Sequence, residues 1–288
     1  MDNKADIREF LASRRARITP EQAGLPDFGG SRRVAGLRRA EVAMLAGVSP
    51  DYYTRLERGN LSGVSDSVLD ALSRALRLDE AERSHLYDLA RAATGKPRVR
   101  RRPAKQVRPG TRHLLDAMTD APALVRNGRL DVLAANRLAE ALYSPAFTTA
   151  HRPVNLARFC FLDPAAERFY PHWEASADTT VALLRTEAGR DPYDRDLSDL
   201  VGELATRSDE FRVRWGAHDV RLHQHGVKSF QHPVVGRLDL GFEALPMPAD
   251  PGLTLTAYSA EPGTPAADGL RLLASWAAST EVKQTDSA

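Results

Sequence analysis

Apolar residues recur at helical spacing through the first third of the chain. Ile7, Phe10 and Leu11 predict a helix over 5–17 that closes on the basic Arg14, Arg15 and Arg17. Thr19, Pro20 and the pair Gly29–Gly30 predict a loop over 18–36. Val42, Ala43, Leu45 and Ala46 predict a second helix over 38–46, broken by Gly47, which takes a positive-φ turn at low cost. Ser49 then reads as an N-cap, Pro50 as the first helical residue and Asp51 as a first-turn acid. The helix they begin runs over 50–58, turns Tyr53 and Leu56 inward, and stops at Gly59–Asn60. Ser65 caps a fourth helix with Val68, Leu69, Leu72, Ala75 and Leu76 on one face. Asp79–Glu80 begins a fifth, with Leu86, Leu89 and Ala90 inward. Five helices within residues 1–93 make a compact all-α domain. Its second and third helices, joined by a glycine turn, form a helix-turn-helix whose second helix can enter a major groove.

Residues 94–110 are different material. They hold seven basic residues, three prolines and no acid, which predicts an extended linker. From 111 the periodicity changes. A short helix is expected from Thr111 to Met118. Two apolar runs, 123–126 and 129–133, flank Asn127–Gly128, a hairpin turn signal. Ala134 to Leu142 returns to helix, with Asn136 near its start. At least two helices follow, over 173–188 and 194–207. Strands are expected over 222–231, 234–245 and 253–259, and a last helix over 266–278. The fold class is therefore multi-domain: an all-α helix-turn-helix domain, then an α+β domain (111–288) with an antiparallel sheet of about five strands and helices on one side.

Charge divides the same way. Residues 1–110 hold 22 Lys+Arg against 14 Asp+Glu, and residues 111–288 hold 18 against 24. A basic first part beside an acidic remainder directs a polyanion to the first part alone. Cys160 is the only cysteine, which excludes an intramolecular disulfide and cysteine metal clusters. No apolar run is long enough for a membrane span, and the N-terminus lacks the apolar centre of a signal peptide. A cytoplasmic protein is expected.

The helix-turn-helix supplies the first candidate site. Helix geometry aims Ser49, Pro50, Asp51, Tyr52 and Arg55 at base edges, Arg55 being able to fork onto guanine. Arg38 and Arg39 start the second helix, where a basic residue opposes the helix dipole and a nearby phosphate would explain it. Arg58 and Asn60, just past the third helix, are further phosphate candidates. An ordinary helical hairpin with solvated arginines is the plainer reading. Through the run Gly47-Val-Ser-Pro-Asp-Tyr-Tyr-Thr-Arg-Leu-Glu-Arg-Gly, residues 37–60 resemble the lambda-repressor-like, or xenobiotic-response-element (XRE), family of regulators. The resemblance implies that Glu57 is structural, held by an arginine of the first helix, Arg14 or Arg15. The chain departs from that family's short first connection by its long loop at 18–36.

The remainder carries a second resemblance. Asn155-Leu-Ala-Arg-Phe-Cys-Phe-Leu-Asp-Pro, Tyr170-Pro-His-Trp, Trp215-Gly-Ala-His-Asp-Val and Lys228-Ser-Phe-Gln-His-Pro-Val-Val-Gly are similar to the ligand-binding domain of MmyB-like regulators. It implies a PAS-like fold with an apolar cavity that in the family can hold a fatty acid. Phe159, Phe161, Trp215, Phe230, Phe242 and Tyr258, with Trp173, Leu222 and Leu240, are candidates to line it, or simply to fill the core. Arg214 or His218 could anchor a carboxylate, because an acid brought unpaired into an apolar cavity is costly. His218, His223, His225 and His232 match no metal signature, so no metal and no cofactor is expected. No catalytic motif appears either: there is no nucleophile elbow, zinc-protease helix or phosphate-binding loop. The expected partners are double-stranded DNA, an apolar small molecule or fatty acid, and a second copy of the chain, since one helix-turn-helix reads few base pairs. A dimerisation or protein-partner module without ligand is the other reading of 111–288.

Overall fold

The computed structural model describes residues 2–25, 34–94, 106–148, 152–220 and 224–285, with side chains to 279. Most of the basic linker (95–105), part of the first loop (26–33), Leu222 and His223 lie outside the described residues. The chain divides into two compact units. The first comprises Met1–Arg98 with Arg185–Gly202 and Val213–Leu222, and the second comprises Val99–Leu184, Glu203–Arg212 and His223–Ala288.

In the first unit, α1 (Asn3–Arg17), α2 (Arg39–Leu45), α3 (Pro50–Glu57), α4 (Asp66–Ala75) and α5 (Glu80–Ala93) follow the order read from the sequence. Local chemistry fixes their ends. Gly47 at φ 66 closes α2, Ser49 Oγ accepts from Tyr52 N to open α3, Ser65 caps α4, and Asp79 with Glu82 forms a reciprocal capping box on α5. Ile7, Phe10, Leu11, Leu37, Val42, Tyr53, Leu56, Leu61, Leu72 and Leu86 pack the core at zero exposure. Gly59 has φ 95, and a Cβ there would lie 2.6 Å from the Lys4 carbonyl oxygen, so α3 meets α1 backbone to backbone.

The second unit begins with α6 (Pro109–Ala117), β1 (Ala123–Asn127), β2 (Val132–Ala135), α7 (Arg137–Leu142), α8 (Ser144–Phe147), α9 (Leu156–Leu162) and α10 (Ala165–Phe169). Then come α11 (Trp173–Arg190), α12 (Arg195–Arg207), α13 (Asp209–Gly216), β3 (His225–His232), β4 (Gly236–Pro246), β5 (Leu253–Ser259) and α14 (Pro265–Thr285). The strands form one antiparallel sheet in the order β2-β1-β5-β4-β3. Alternation sorts the side chains. Leu124, Phe230, Leu238, Leu240, Phe242 and Tyr258 join Leu138, Leu142, Phe159, Phe169, Leu270 and Leu273 from the helices in one core. Ala123, Val125, Ala134, Leu253 and Leu255 face the other way and are covered by Leu115 of α6, so helices lie on both faces, not one.

The hairpin departs from its turn signal. Instead of a two-residue Asn127–Gly128 turn, the chain connects through 128–131, with Leu130 at φ 66 and buried. Asn127 Oδ1 accepts from the backbone of Arg129 and Asp131 and stabilises the wider loop. Burial of an apolar side chain here overrides the local preference for a tight turn. β2 also runs on to Ala135. The following helix opens only at Asn136, which accepts from Ala139 N and Ala123 N and donates to the Met118 and Ala121 carbonyls.

The first unit takes in more than residues 1–93: Arg185–Gly202, with the end of α11 and the first part of α12, belongs to it, as does Val213–Leu222. Buried Arg185 reaches Asp6 Oδ1 at 3.3 Å, donates to the Trp215 carbonyl and lies 3.8 Å over the Trp215 ring. His218 Nε2 sits 2.7 Å from Glu9 Oε2, and Val220 enters the helical core.

Candidate functional sites

The α2–α3 pair is held from beneath by one carboxylate. Glu57 has a 2% exposed side chain, and Arg15 donates to it through Nε at 2.8 Å and Nη2 at 2.9 Å. Arg39 Nε adds a third bond at 2.9 Å, and Arg15 Nη1 donates to the Leu37 carbonyl. Burial alone would push the Glu57 carboxyl up, but the hydrogen bonds from Arg15 hold it below its usual value. Of the two arginines the resemblance allowed, Arg15 is the partner; Arg14 turns to Glu82 at 2.8 Å.

Above this anchor, Arg38, Arg39, Ser49, Pro50, Asp51, Arg55, Arg58 and Asn60 are exposed and Tyr52 is half-buried. The Arg55 guanidinium stacks 4.9 Å over the Tyr52 ring, which limits its freedom before any partner arrives. The Ser49 hydroxyl already accepts the capping bond. At the start of α2, Glu41 accepts from Arg38 N at 2.6 Å, so the helix dipole is answered inside the protein, and Arg39 is partly committed to Glu57. The helix dipole therefore requires no phosphate at Arg38 and Arg39, although both are exposed.

The second unit contains a cavity of about 260 Å³. Its sheet wall is Leu124 and Arg126 of β1, Thr256 and Tyr258 of β5, and Lys228 of β3. Leu130, Tyr143, Leu156, Tyr170, His172 and one face of α11 complete the lining with Val227 and Ser229. That α11 face presents Ala175, Ser176, Thr179, Thr180 and Leu183. The hydroxyls of Thr179 and Thr180 donate to the carbonyls of Ala175 and Ser176, so these threonines commit their donors within the helix. Lys228 Nζ lies 4.6 Å from the Tyr170 ring centre, 5.5 Å from Phe230 and 5.8 Å from Tyr143. Burial, with Arg126 nearby, lowers its ammonium to about 8. Tyr143 and Tyr258 share a 2.6 Å hydroxyl contact, and burial drives both phenols up, Tyr258 to about 12. Among the described residues, the buried Thr256 hydroxyl has no hydrogen-bond partner.

Of the residues chosen from the sequence for this cavity, Tyr258 lines it. Phe159, Phe230 and Phe242 are buried in the surrounding core, and Phe161 packs edge-on against Trp173 and Phe211. Arg214, Trp215 and His218 belong to the first unit and do not line the cavity. Arg126 and Lys228 were missed. Strand alternation marks both, since Arg126 shares the parity of Leu124, and Lys228 that of Phe230 and His232. His232 is structural: its Nε2 meets the Ala141 carbonyl at 3.0 Å, and Nδ1 accepts from Val234 N. Among the described residues, no group of three side chains could hold a metal.

Comparison with protein families decides between readings of this architecture. The model of the MmyB-like transcription regulator ligand binding domain matches residues 107–273, more than half of the chain. The chain belongs to the MmyB-like transcription regulators. A helix-turn-helix domain model matches residues 8–86, over α1–α5. No curated protein matches the chain. An MmyB-like regulator of this build combines a DNA-binding helical domain with a ligand-binding domain whose five-stranded sheet borders the cavity. Both families are regulator domains rather than enzymes. Among the described residues, no helix is long and apolar enough to cross a membrane.

Proposed function

We propose that this MmyB-like regulator is an XRE-type repressor-fold protein that binds a specific duplex sequence as a homodimer, in the cytoplasm, and senses an apolar small molecule, best a fatty acid. In this reading Ser49, Pro50, Asp51, Tyr52 and Arg55 face the bases, and Arg38, Arg39, Arg58 and Asn60 face phosphates. The observation that carries the DNA half is Arg55 stacked on Tyr52, on a helix whose underside is fixed through Glu57. The ligand half is supported by a cavity of about 260 Å³ between the sheet and α11. Two recognition helices on a two-fold operator supply the base contacts that one lacks. To act as a switch, the ligand must bind the DNA-competent and incompetent states with different affinity.

Two measurements on the purified full chain test the two halves. Selection from a random duplex pool should enrich one two-fold sequence, and native mass spectrometry should find a co-purified lipid mass. A pool that yields no sequence removes the DNA half. A protein that carries no lipid and takes up none on addition removes the sensing half.

A further inference from the structure

Helix α1 has two charged sides. At about 100° per residue, Asp6, Glu9, Arg14 and Arg17 fall within one arc of α1, and Arg15 lies opposite its centre. Arg15 holds the Glu57 carboxylate and the Leu37 carbonyl, and so the base of the recognition helix α3. The other side of α1 holds a segment from far along the chain, residues 213–220, which belongs to the same compact unit. Arg14 Nη2 donates to the His218 carbonyl at 2.5 Å, Glu9 Oε2 meets His218 Nε2 at 2.7 Å, and Arg17 pairs with Asp219. Asp6 holds Arg185, which lies over the Trp215 ring and donates to the Trp215 carbonyl.

This contact is built differently from an apolar core. Arg14, Arg185 and His218 are 2%, 3% and 5% exposed, and ion pairs taken out of water gain little net stability. His218 takes φ 55, a left-handed conformation that a residue with a Cβ adopts at a cost. Among the described residues, the buried Nε of Arg185 has no hydrogen-bond partner. Of the segment, Val220 joins the apolar core of the unit. The contact is thus specific in geometry but modest in stability. We propose that residues 213–220 are a detachable brace on α1 that sets duplex affinity. Docked, the brace fixes the side of α1 away from Arg15, and Arg15 keeps Glu57 and α3 in the binding position. Detached, it frees α1, and α3 loses its fixed base. Trp215 and His218 are then positioning residues for DNA recognition, acting through Arg15. The brace rests on the DNA-binding half of the function proposed above and adds to it the element that controls affinity. Because coupling is reciprocal, a bound duplex must also tighten the segment on α1.

Hydrogen exchange of the full chain, with and without its selected duplex, tests the brace in the unaltered protein. Backbone amides of 213–220 should exchange roughly 10-fold more slowly with duplex bound, in the range of ordinary coupling. A second measurement uses Trp215→Ala, which removes the ring beneath Arg185. Its duplex affinity should fall roughly 10-fold at a temperature where circular dichroism shows the helical unit fully folded. Trp215→Phe, which keeps a ring there, should restore most of the loss. Equal exchange of 213–220 in the two states overturns the brace and leaves DNA binding standing, without needing any variant to fold. Unchanged affinity in folded Trp215→Ala also overturns it. A chain that binds no duplex removes the DNA-binding reading and the brace together.

Discussion

The Arg15 guanidinium lies side-on against the buried Glu57 carboxylate, with two bonds of 2.8 and 2.9 Å, and fixes α3 to α1 beneath the exposed face of the helix-turn-helix. Arg15→Ala leaves a carboxylate of 2% exposure with Arg39 alone. The expected loss is about 3 kcal/mol or more in the stability of the helical unit, because the remaining charge is buried and under-compensated. Urea unfolding followed by circular dichroism reads it. A loss below about 1 kcal/mol would mean that Arg39 alone suffices.

Gly59 makes a separate prediction about the same junction. Its φ of 95 is unfavourable to other residues, and an added Cβ meets the backbone of Lys4 at 2.6 Å. Gly59→Ala should cost about 2 kcal/mol or more and lower the melting temperature of the helical unit. An unchanged melting temperature would show that α1 can move away from α3 freely.

Acid should weaken the helical unit before it weakens an ordinary surface. Burial lowers His85 from 6.5 to about 3 and His218 to about 4, so both are neutral in the fold and protonate more readily once unfolded. Stability is full above pH 6.5 and declines as pH falls from there toward 3–4. At pH 5 the His85 contribution to the loss is about 2 kcal/mol. Stability measured between pH 7 and 5 checks the slope, and His85→Phe, which keeps a ring against Phe10, should make it shallower. A slope unchanged in that variant would remove His85 as the cause.

Arg55 and Arg58 should separate by kind of contact. Arg55→Ala should cost about 1–3 kcal/mol on the selected duplex and relax one base position. Arg58→Ala should weaken all duplexes alike and reduce the salt slope by about one ion. Binding to matched and scrambled duplexes at several salt concentrations distinguishes them. A uniform loss for Arg55 would reassign it to a phosphate.

Local signals carried most of the fold. Gly47, Ser49 and Pro50 act on the turns beside them, so α2 and α3 were legible from the chain alone. Strand alternation likewise exposed β4 and β5. The choice between Arg14 and Arg15 was not legible, because the two are adjacent and only packing turns one toward Glu57. At Asn127–Gly128 a genuine turn preference lost to the burial of Leu130, an effect invisible at short range. The lining of the cavity was hard to read from the chain for two reasons. Trp215 and His218 share a stretch of sequence with the ligand-binding half but meet Arg185 and Glu9 in the first unit. Lys228 and Arg126 carry charges that ordinarily mark solvent-facing positions, although their parity turns them inward.

In the proposed switch, occupancy of the cavity changes how the protein holds DNA. The most direct test is the affinity of the protein for its selected duplex, measured without ligand and at saturating decanoate in the same buffer. A change of roughly 10-fold or more is expected, in the range of ordinary allosteric coupling. By reciprocity, the duplex must shift decanoate affinity by the same factor. Equal affinities in both states, with decanoate demonstrably bound, would contradict the account.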